Sequence, residues 1–288
     1  MATFPYALGW VPDVPDFRDL DGDADPIKPL LARTRLAAAP AAGVKKAAVP
    51  RPAHTDLRAG FSEIEDQGQL GSCTAQAAVG LIEYYERKAG GRHVDASRLF
   101  VYKTTRNLLG WKGDTGAYLR SAMKAIVLCG APPEAHWPYQ IARFDEEPPA
   151  FVYALGANYK AIKYYRLDRV GEKRQATLDR IRDYLAAGLP SMFGFPVYSS
   201  MTDAADIPFP TQQDRHEGGH AIVACGYDDG RKIGPHTGAL MIRNSWGTSW
   251  GAAGYGWLPY EYVLRGLADD FWSVQKLSWV EDDKFMVP

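Results

Sequence analysis

Residues 67–90 run Gln67-Gly68-Gln69-Leu70-Gly71-Ser72-Cys73 and continue Thr74-Ala75-Gln76-Ala77-Ala78-Val79-Gly80-Leu81-Ile82-Glu83-Tyr84-Tyr85-Glu86-Arg87-Lys88-Ala89-Gly90. A glycine-rich loop feeds a helix. Ala75, Ala78, Val79, Ile82 and Tyr85 recur at helical spacing, and Gly90 is a stop signal. Cys73 falls in the first turn, where backbone N–H groups lack partners and the positive end of the helix dipole lies close. Both favour thiolate, the nucleophilic form. A buried structural cysteine is the alternative reading of the position alone, since free Cys is among the most buried residue types.

Two later stretches supply what a thiol nucleophile needs. Gly219-His220-Ala221-Ile222-Val223-Ala224-Cys225-Gly226-Tyr227-Asp228 sets His220 at the head of an apolar, strand-like run. Met241-Ile242-Arg243-Asn244-Ser245-Trp246-Gly247-Thr248-Ser249-Trp250-Gly251 sets Asn244 after another. A cysteine nucleophile requires a base, and the base requires a group that fixes its tautomer and orientation. Cys73, His220 and Asn244 provide all three. With Gln67 ahead of Ser72-Cys73 and Gly254-Tyr255-Gly256 behind the Asn244 stretch, the chain resembles the papain-like cysteine peptidases over residues 51–280. His220 lies about 150 residues beyond Cys73, the separation found in that family. Asn244 lies farther on, which implies extra loop length.

The resemblance implies an α+β, two-lobe papain-like fold: a helical N-terminal lobe, an antiparallel β-barrel-like C-terminal lobe, and the active site in the cleft between. It implies Cys73 as nucleophile, His220 as base and Asn244 as the group that holds the imidazole. The Gln67 side chain and the Cys73 N–H would cradle the oxyanion, where preorganised donors contribute a few kcal/mol. Thr115, Gly116 and Ala117 match the loop that pairs with extended substrate, although Ala117 stands where relatives often carry Gly. Gly219 and Ala221 flank His220 at the substrate side, and Trp246 would shield the Asn244–His220 contact from water. Gly194 is a weaker candidate for the same pocket. Many relatives have a disulfide beside the nucleophile; its two positions correspond here to Leu70 and Asp114, so the bridge is absent.

Bulk properties agree with a soluble enzyme. The chain has 288 residues, 46% hydrophobic and 23% charged, enough to bury a sizeable core in one large or two modest domains. A formal charge of −1 gives no reason to expect nucleic acid or an anionic membrane as partner, and no apolar run is long enough to span a bilayer. Cys73, Cys129 and Cys225 make an odd, scattered set, unlike a disulfide framework. The N-terminus shows neither the basic stretch nor the apolar run of a secretory leader, which points to a cytoplasmic protein or one exported without a recognisable signal. Peptide or protein substrates, no cofactor and a monomeric state are the expectations.

Residues 1–50 fall outside the peptidase-like body at 51–288. Phe4, Tyr6, Trp10 and Phe17 stud a Pro- and Asp-rich beginning, followed by the Ala/Pro-rich linker composition of residues 32–53. Two readings stand: a pro-segment that covers the cleft, or an arm packing on the body through its aromatic side chains. Within the body, residues 51–155 carry helical patterns at 95–110 (capped by Asp95 or Ser97) and 117–130. Residues 156–288 alternate like strands near 159–167, 190–198, 220–227, 238–243, 254–258 and 270–280, with an amphipathic helix at 176–188 and a polar loop over 199–218. His216-Glu217-Gly218-Gly219-His220 also matches the zinc-peptidase pattern, which works only on a helix; the paired glycines and the β-forming residues beyond argue for a strand. A zinc peptidase and a catalytically silent scaffold are the alternative functions.

Overall fold

The computed structural model describes residues 4–38, 51–160 and 163–276. Its helices are α1 (Lys28–Leu31), α2 (Cys73–Gly90), α3 (Arg98–Leu109), α4 (Leu119–Cys129), α5 (Ala150–Gly156), α6 (Arg174–Ala186) and α7 (Glu261–Leu264). Its strands are β1 (His54–Asp56), β2 (Lys163–Arg166), β3 (Ser191–Tyr198), β4 (His216–Ile233), β5 (His236–Arg243), β6 (Tyr255–Pro259) and β7 (Asp269–Gln275). Helices come first and strands later, the α+β order anticipated from the sequence.

α2 is the hub. It packs on α3 and α4 on one side and on β3, β4 and β7 on the other. Its single apolar stripe in the sequence understates this, for Ala77, Leu81, Tyr84, Gln76 and Glu83 are buried as well. The absence of a side chain at Gly80 matters: a Cβ there would lie 2.6 Å from the Arg243 guanidinium. The helix runs through Gly90 and is capped one residue later by Gly91, at φ 74°, whose N–H bonds the Arg87 carbonyl. α3 is capped by Ser97, not Asp95: its hydroxyl accepts the Phe100 N–H at 3.1 Å.

The strands form one antiparallel sheet in the order β2-β7-β3-β4-β5-β6, with β1 paired to β4. β1 belongs by sequence to the helical half, yet its backbone completes β4 in register His54 to Asp228. β4 starts at His216, four residues before the expected strand, because residues 216–219 pair with the end of β3. β7 is bulged against β3. Met192 faces Trp272 and Gly194 faces Asp269, so Asp270 and Phe271 oppose Phe193 alone.

The N-terminal stretch is an arm that crosses between the two halves, bridging Trp10 to Ala117 and Asp21 to Arg166. Phe4, Tyr6 and Trp10 pack against the body. Phe17 does not; it is 98% exposed, contrary to its expected role as an anchor. The turn at residues 16–19 is held instead by Asp16, which pairs with Arg18. Most of the linker-like stretch, residues 39–50, lies outside the described residues, as does the end of the last strand-like run.

Candidate active site

Cys73 is the first residue of α2 and is fully buried. The N–H groups of Ala221 and Gly9 face its sulfur. Ala221 follows His220 on β4, so the helix end meets the imidazole-bearing strand. His220 is fully buried, and its Nε2 lies 2.8 Å from Asn244 Oδ1. Oδ1 also accepts the Ser245 N–H at 2.8 Å, which fixes the amide so that its oxygen faces the ring. Nε2 therefore carries the proton and Nδ1 is the basic nitrogen; among the described residues Nδ1 has no hydrogen-bond partner. Trp246 stacks on the imidazole with centroids 4.3 Å apart and 22° between planes, and Trp250 packs edge-on behind it.

Gln67 is held from both sides. Its Oε1 accepts the Ser245 hydroxyl at 2.7 Å, and its backbone N–H donates to the Ser245 carbonyl at 2.9 Å. Its Nε2 donates to Leu70 O at 3.0 Å and to Ala7 O, on the arm, at 3.1 Å. A side-chain N–H thus points into the cleft at a backbone carbonyl, as an oxyanion donor would.

Electrostatics differ from the thiolate expectation. Burial pushes the Cys73 thiol up to about 11, outweighing the N–H groups that pull it down. Burial likewise pushes His220 down to about 4, with the Asn244 contact opposing. In this covered state both groups are neutral. The helix dipole favours thiolate only where water or an imidazolium can share the charge, and here Cys73 is fully buried.

The arm fills the cleft along its length. Gly9 and Trp10 donate to Gly219 O at 3.0 and 2.9 Å. Ala117 donates to Gly9 O at 2.8 Å and accepts from Val11 at 3.1 Å. The Cβ of Ala117 does not prevent this pairing. The tight approach is at Gly116 instead, at φ 68°, where a Cβ would fall 2.2 Å from Gly9 O. Thr115 donates its hydroxyl to Gly116 O at 3.2 Å and its N–H to Gly113 O at 3.1 Å. Trp10 lies on Gly194, where a Cβ would sit 2.0 Å from the indole, so Gly194 does border an occupied pocket. Tyr6 stacks on Trp246 at 4.2 Å, with 2° between planes, and its hydroxyl bonds Asp203.

Three residues escaped the sequence reading. Asp114, at a position where relatives carry a bridging cysteine, accepts the Gly71 N–H at 3.1 Å and the Tyr102 hydroxyl at 2.6 Å, so a carboxylate ties the loop before Cys73 to α3. Ser245 holds Gln67. Asp270 meets Trp10 Nε1 at 3.2 Å inside the pocket. The three cysteines are free, as expected. His216 and Glu217 lie on strand β4, not on a helix, and Glu217 pairs with Arg215; among the described residues no cluster could hold a metal ion. No described helix is long and apolar enough to cross a membrane.

Comparison with known proteins accords with this geometry. The sequence pattern of the papain family of cysteine proteases matches residues 51–267. An uncharacterised peptidase C1-like protein of Acanthamoeba polyphaga mimivirus is 35% identical over 227 residues, 76% of this chain and 71% of that protein. Chicken (Gallus gallus) cathepsin K is 29% identical over 212 residues, 71% of this chain but 58% of that protein's length. Among solved structures, xylellain, a cysteine protease from Xylella fastidiosa, superposes with a TM-score of 0.75 at 32% identity, covering 96% of this chain and 98% of that one. Digestive procathepsin L 3 of the Tenebrio molitor larval midgut shares the fold, with a TM-score of 0.60 at 20% identity over 86% of this chain and 78% of that one. From the thiol at the helix end to the strand-borne imidazole, the chain belongs to the papain family of cysteine proteases and is a hydrolase of the cysteine-peptidase class.

Proposed function

We propose that this protein is a cysteine endopeptidase that acts through Cys73, His220 and Asn244, and that its own N-terminal arm holds it latent. The observation that carries the reading is the seat of the arm. A chain in extended conformation lies on Gly219 and Ala117, with one carbonyl on Gln67 Nε2 and one N–H on the Cys73 sulfur. The arm thus takes backbone positions that an extended substrate would take, on both walls of the groove.

With the arm displaced, water and substrate reach the site, and the penalty on charge at both groups falls. The Cys73 proton moves to His220 Nδ1. The sulfur forms a bond to the scissile carbonyl carbon, and the electron pair shifts to the oxygen, which accepts from Gln67 Nε2 and the Cys73 N–H. The imidazolium gives its proton to the leaving nitrogen as the C–N bond breaks, leaving a thioester. His220 then takes a proton from water, which attacks the thioester and restores the thiol. Asn244 keeps the ring aimed through Nε2. Every group this cycle requires is a side chain or backbone amide of the chain itself.

Substitution Cys73→Ala should abolish turnover of peptide substrates while leaving the thermal unfolding transition near that of the native chain. Activity within tenfold of native in a folded Cys73→Ala protein would sink the assignment. Chelators should leave the rate unchanged; loss of activity on chelation would favour a metallopeptidase instead.

A further inference from the structure

Trp10 occupies a pocket whose walls are missing side chains. Gly194 leaves room for the indole face, and at Gly219 a Cβ would fall 2.9 Å from Trp10 Cε3 and 2.3 Å from Trp10 O. The pocket ends in a carboxylate. Asp270 is buried and adopts φ 58°, a left-handed conformation that an aspartate enters at some cost, within the β7 bulge. Asp168 holds this backbone by accepting the N–H groups of Asp270 and Phe271 at 3.0 and 2.9 Å. Arg166 fixes the side chain by donating to Oδ1 at 2.9 Å. The second oxygen, Oδ2, takes its hydrogen bonds from the arm: Trp10 Nε1 at 3.2 Å and the Asp13 N–H at 2.7 Å.

When the arm leaves, Oδ2 faces the emptied pocket without those donors. A buried carboxylate oxygen stripped of its hydrogen bonds is costly, and a ligand that restores one regains the difference. We infer that the pocket filled by Trp10 selects a flat, bulky substrate side chain ending in an N–H donor, tryptophan foremost, and that Asp270 is the residue that selects it. This rests on the peptidase reading above. A cation is not the better match, because two guanidiniums stay beside the pocket once Asp13 and Asp19 have gone with the arm: Arg166, paired with Asp168 and Asp270, and Arg120, which shares the Trp272 ring with it.

The test uses full-length Trp10→Ala protein, in which the pocket is vacated without shortening the chain. Peptidyl aminocoumarins are varied at each of the three residues before the cleavable amide. At one of these positions the tryptophan peptide should exceed the phenylalanine peptide at least tenfold in kcat/KM, the gain from a hydrogen bond to a charged group. Adding Asp270→Asn, a residue that tolerates the left-handed backbone, should bring that ratio below about threefold. Should that variant fail to fold, Gly194→Val in the same background should put tryptophan below alanine at the responding position. Phenylalanine, leucine or arginine equal to or above tryptophan at every position overturns the pocket assignment while leaving the peptidase reading standing. So does a ratio that survives both variants. Failure to cleave any of the peptides takes both down.

Discussion

At one end of the groove the arm lies on rings, and at the other it is sunk among charges. Tyr6 stacks flat on Trp246, Phe4 meets the same indole edge-on at 5.8 Å, and the Tyr6 hydroxyl reaches a surface carboxylate. Four residues on, Trp10 enters a glycine-walled pocket, and behind it Asp13 and Asp19 lie among Arg120, Arg166 and Asp270. A stacked aromatic pair contributes about 0.5–1.5 kcal/mol beyond its buried area, whereas removing a buried Trp or one partner of a buried ion pair costs roughly 3–5 kcal/mol. On the latency proposed above, the arm should lift first at the Trp246 end and stay anchored at Trp10. Cys73 and Gln67 lie between, so a partial opening should bare the thiol before the arm is fully released.

Three substitutions in the full-length chain test that asymmetry through peptide hydrolysis. Trp10→Ala should raise the rate most, on the order of 100-fold, since even half of the burial term exceeds tenfold; an unchanged rate would break the anchor. Arg120→Gln leaves Asp13 and Asp19 without the guanidinium that Asp19 meets at 2.6 Å, and should raise the rate about tenfold. Tyr6→Ala should raise it only several-fold. A Tyr6 effect larger than that of Trp10 would reverse the comparison.

Acid should act with opposite sign at the two ends. Burial holds His220 near 4 in the covered state, below its ordinary 6.5. Covering the imidazole is thus favoured above about 6.5, and that contribution is lost as pH falls toward 4. Asp270 is pushed up to about 7, by burial first and then by the charge of Asp13, with Arg166 opposing and Asp269 adding; Asp168 also lies against its backbone. Its contribution is present below the ordinary carboxylate range and is lost as pH rises through about 7. Between about 4 and 6.5 the two contributions oppose each other and nearly cancel, and above 6.5 only the loss at Asp270 remains, so the arm should loosen as pH rises past neutral. The ratio of Cys73 alkylation rates, native to Trp10→Ala, should stay level between about pH 5 and 6 and rise a few-fold through pH 7. Asp13→Asn should flatten the alkaline limb alone, and an unaltered alkaline limb would remove Asp13 from the account.

The same asymmetry governs what could be seen in the sequence. The thiol at a helix start, the imidazole at a strand start and the amide before two tryptophans each belong to a short local pattern, so Cys73, His220, Asn244 and Gln67 were legible one by one. The strands were legible too, apart from their ends, where pairing with β3 extends β4 back to His216. Asp270 was not, since its importance arises from a bulge and from Trp10, far off in sequence. Asp114 could be noticed as a missing cysteine but not as the acceptor for Gly71. Phe17 misled because an aromatic residue in an arm says nothing about which way it points; here the Asp16–Arg18 turn points it outward. The ionisation of Cys73 is not legible from helix position alone: the helix end sets the field, but burial opposes charge on the sulfur.

The most direct measurement is treatment of native and Trp10→Ala protein with a thiol-directed peptidyl electrophile, followed by mass mapping of the adduct over time. The account predicts a single adduct on Cys73, none on Cys225 or the half-buried Cys129, and labelling on the order of 100-fold faster when Trp10 is removed. An adduct on Cys129 with Cys73 untouched, or equal labelling rates in the two proteins, would contradict it.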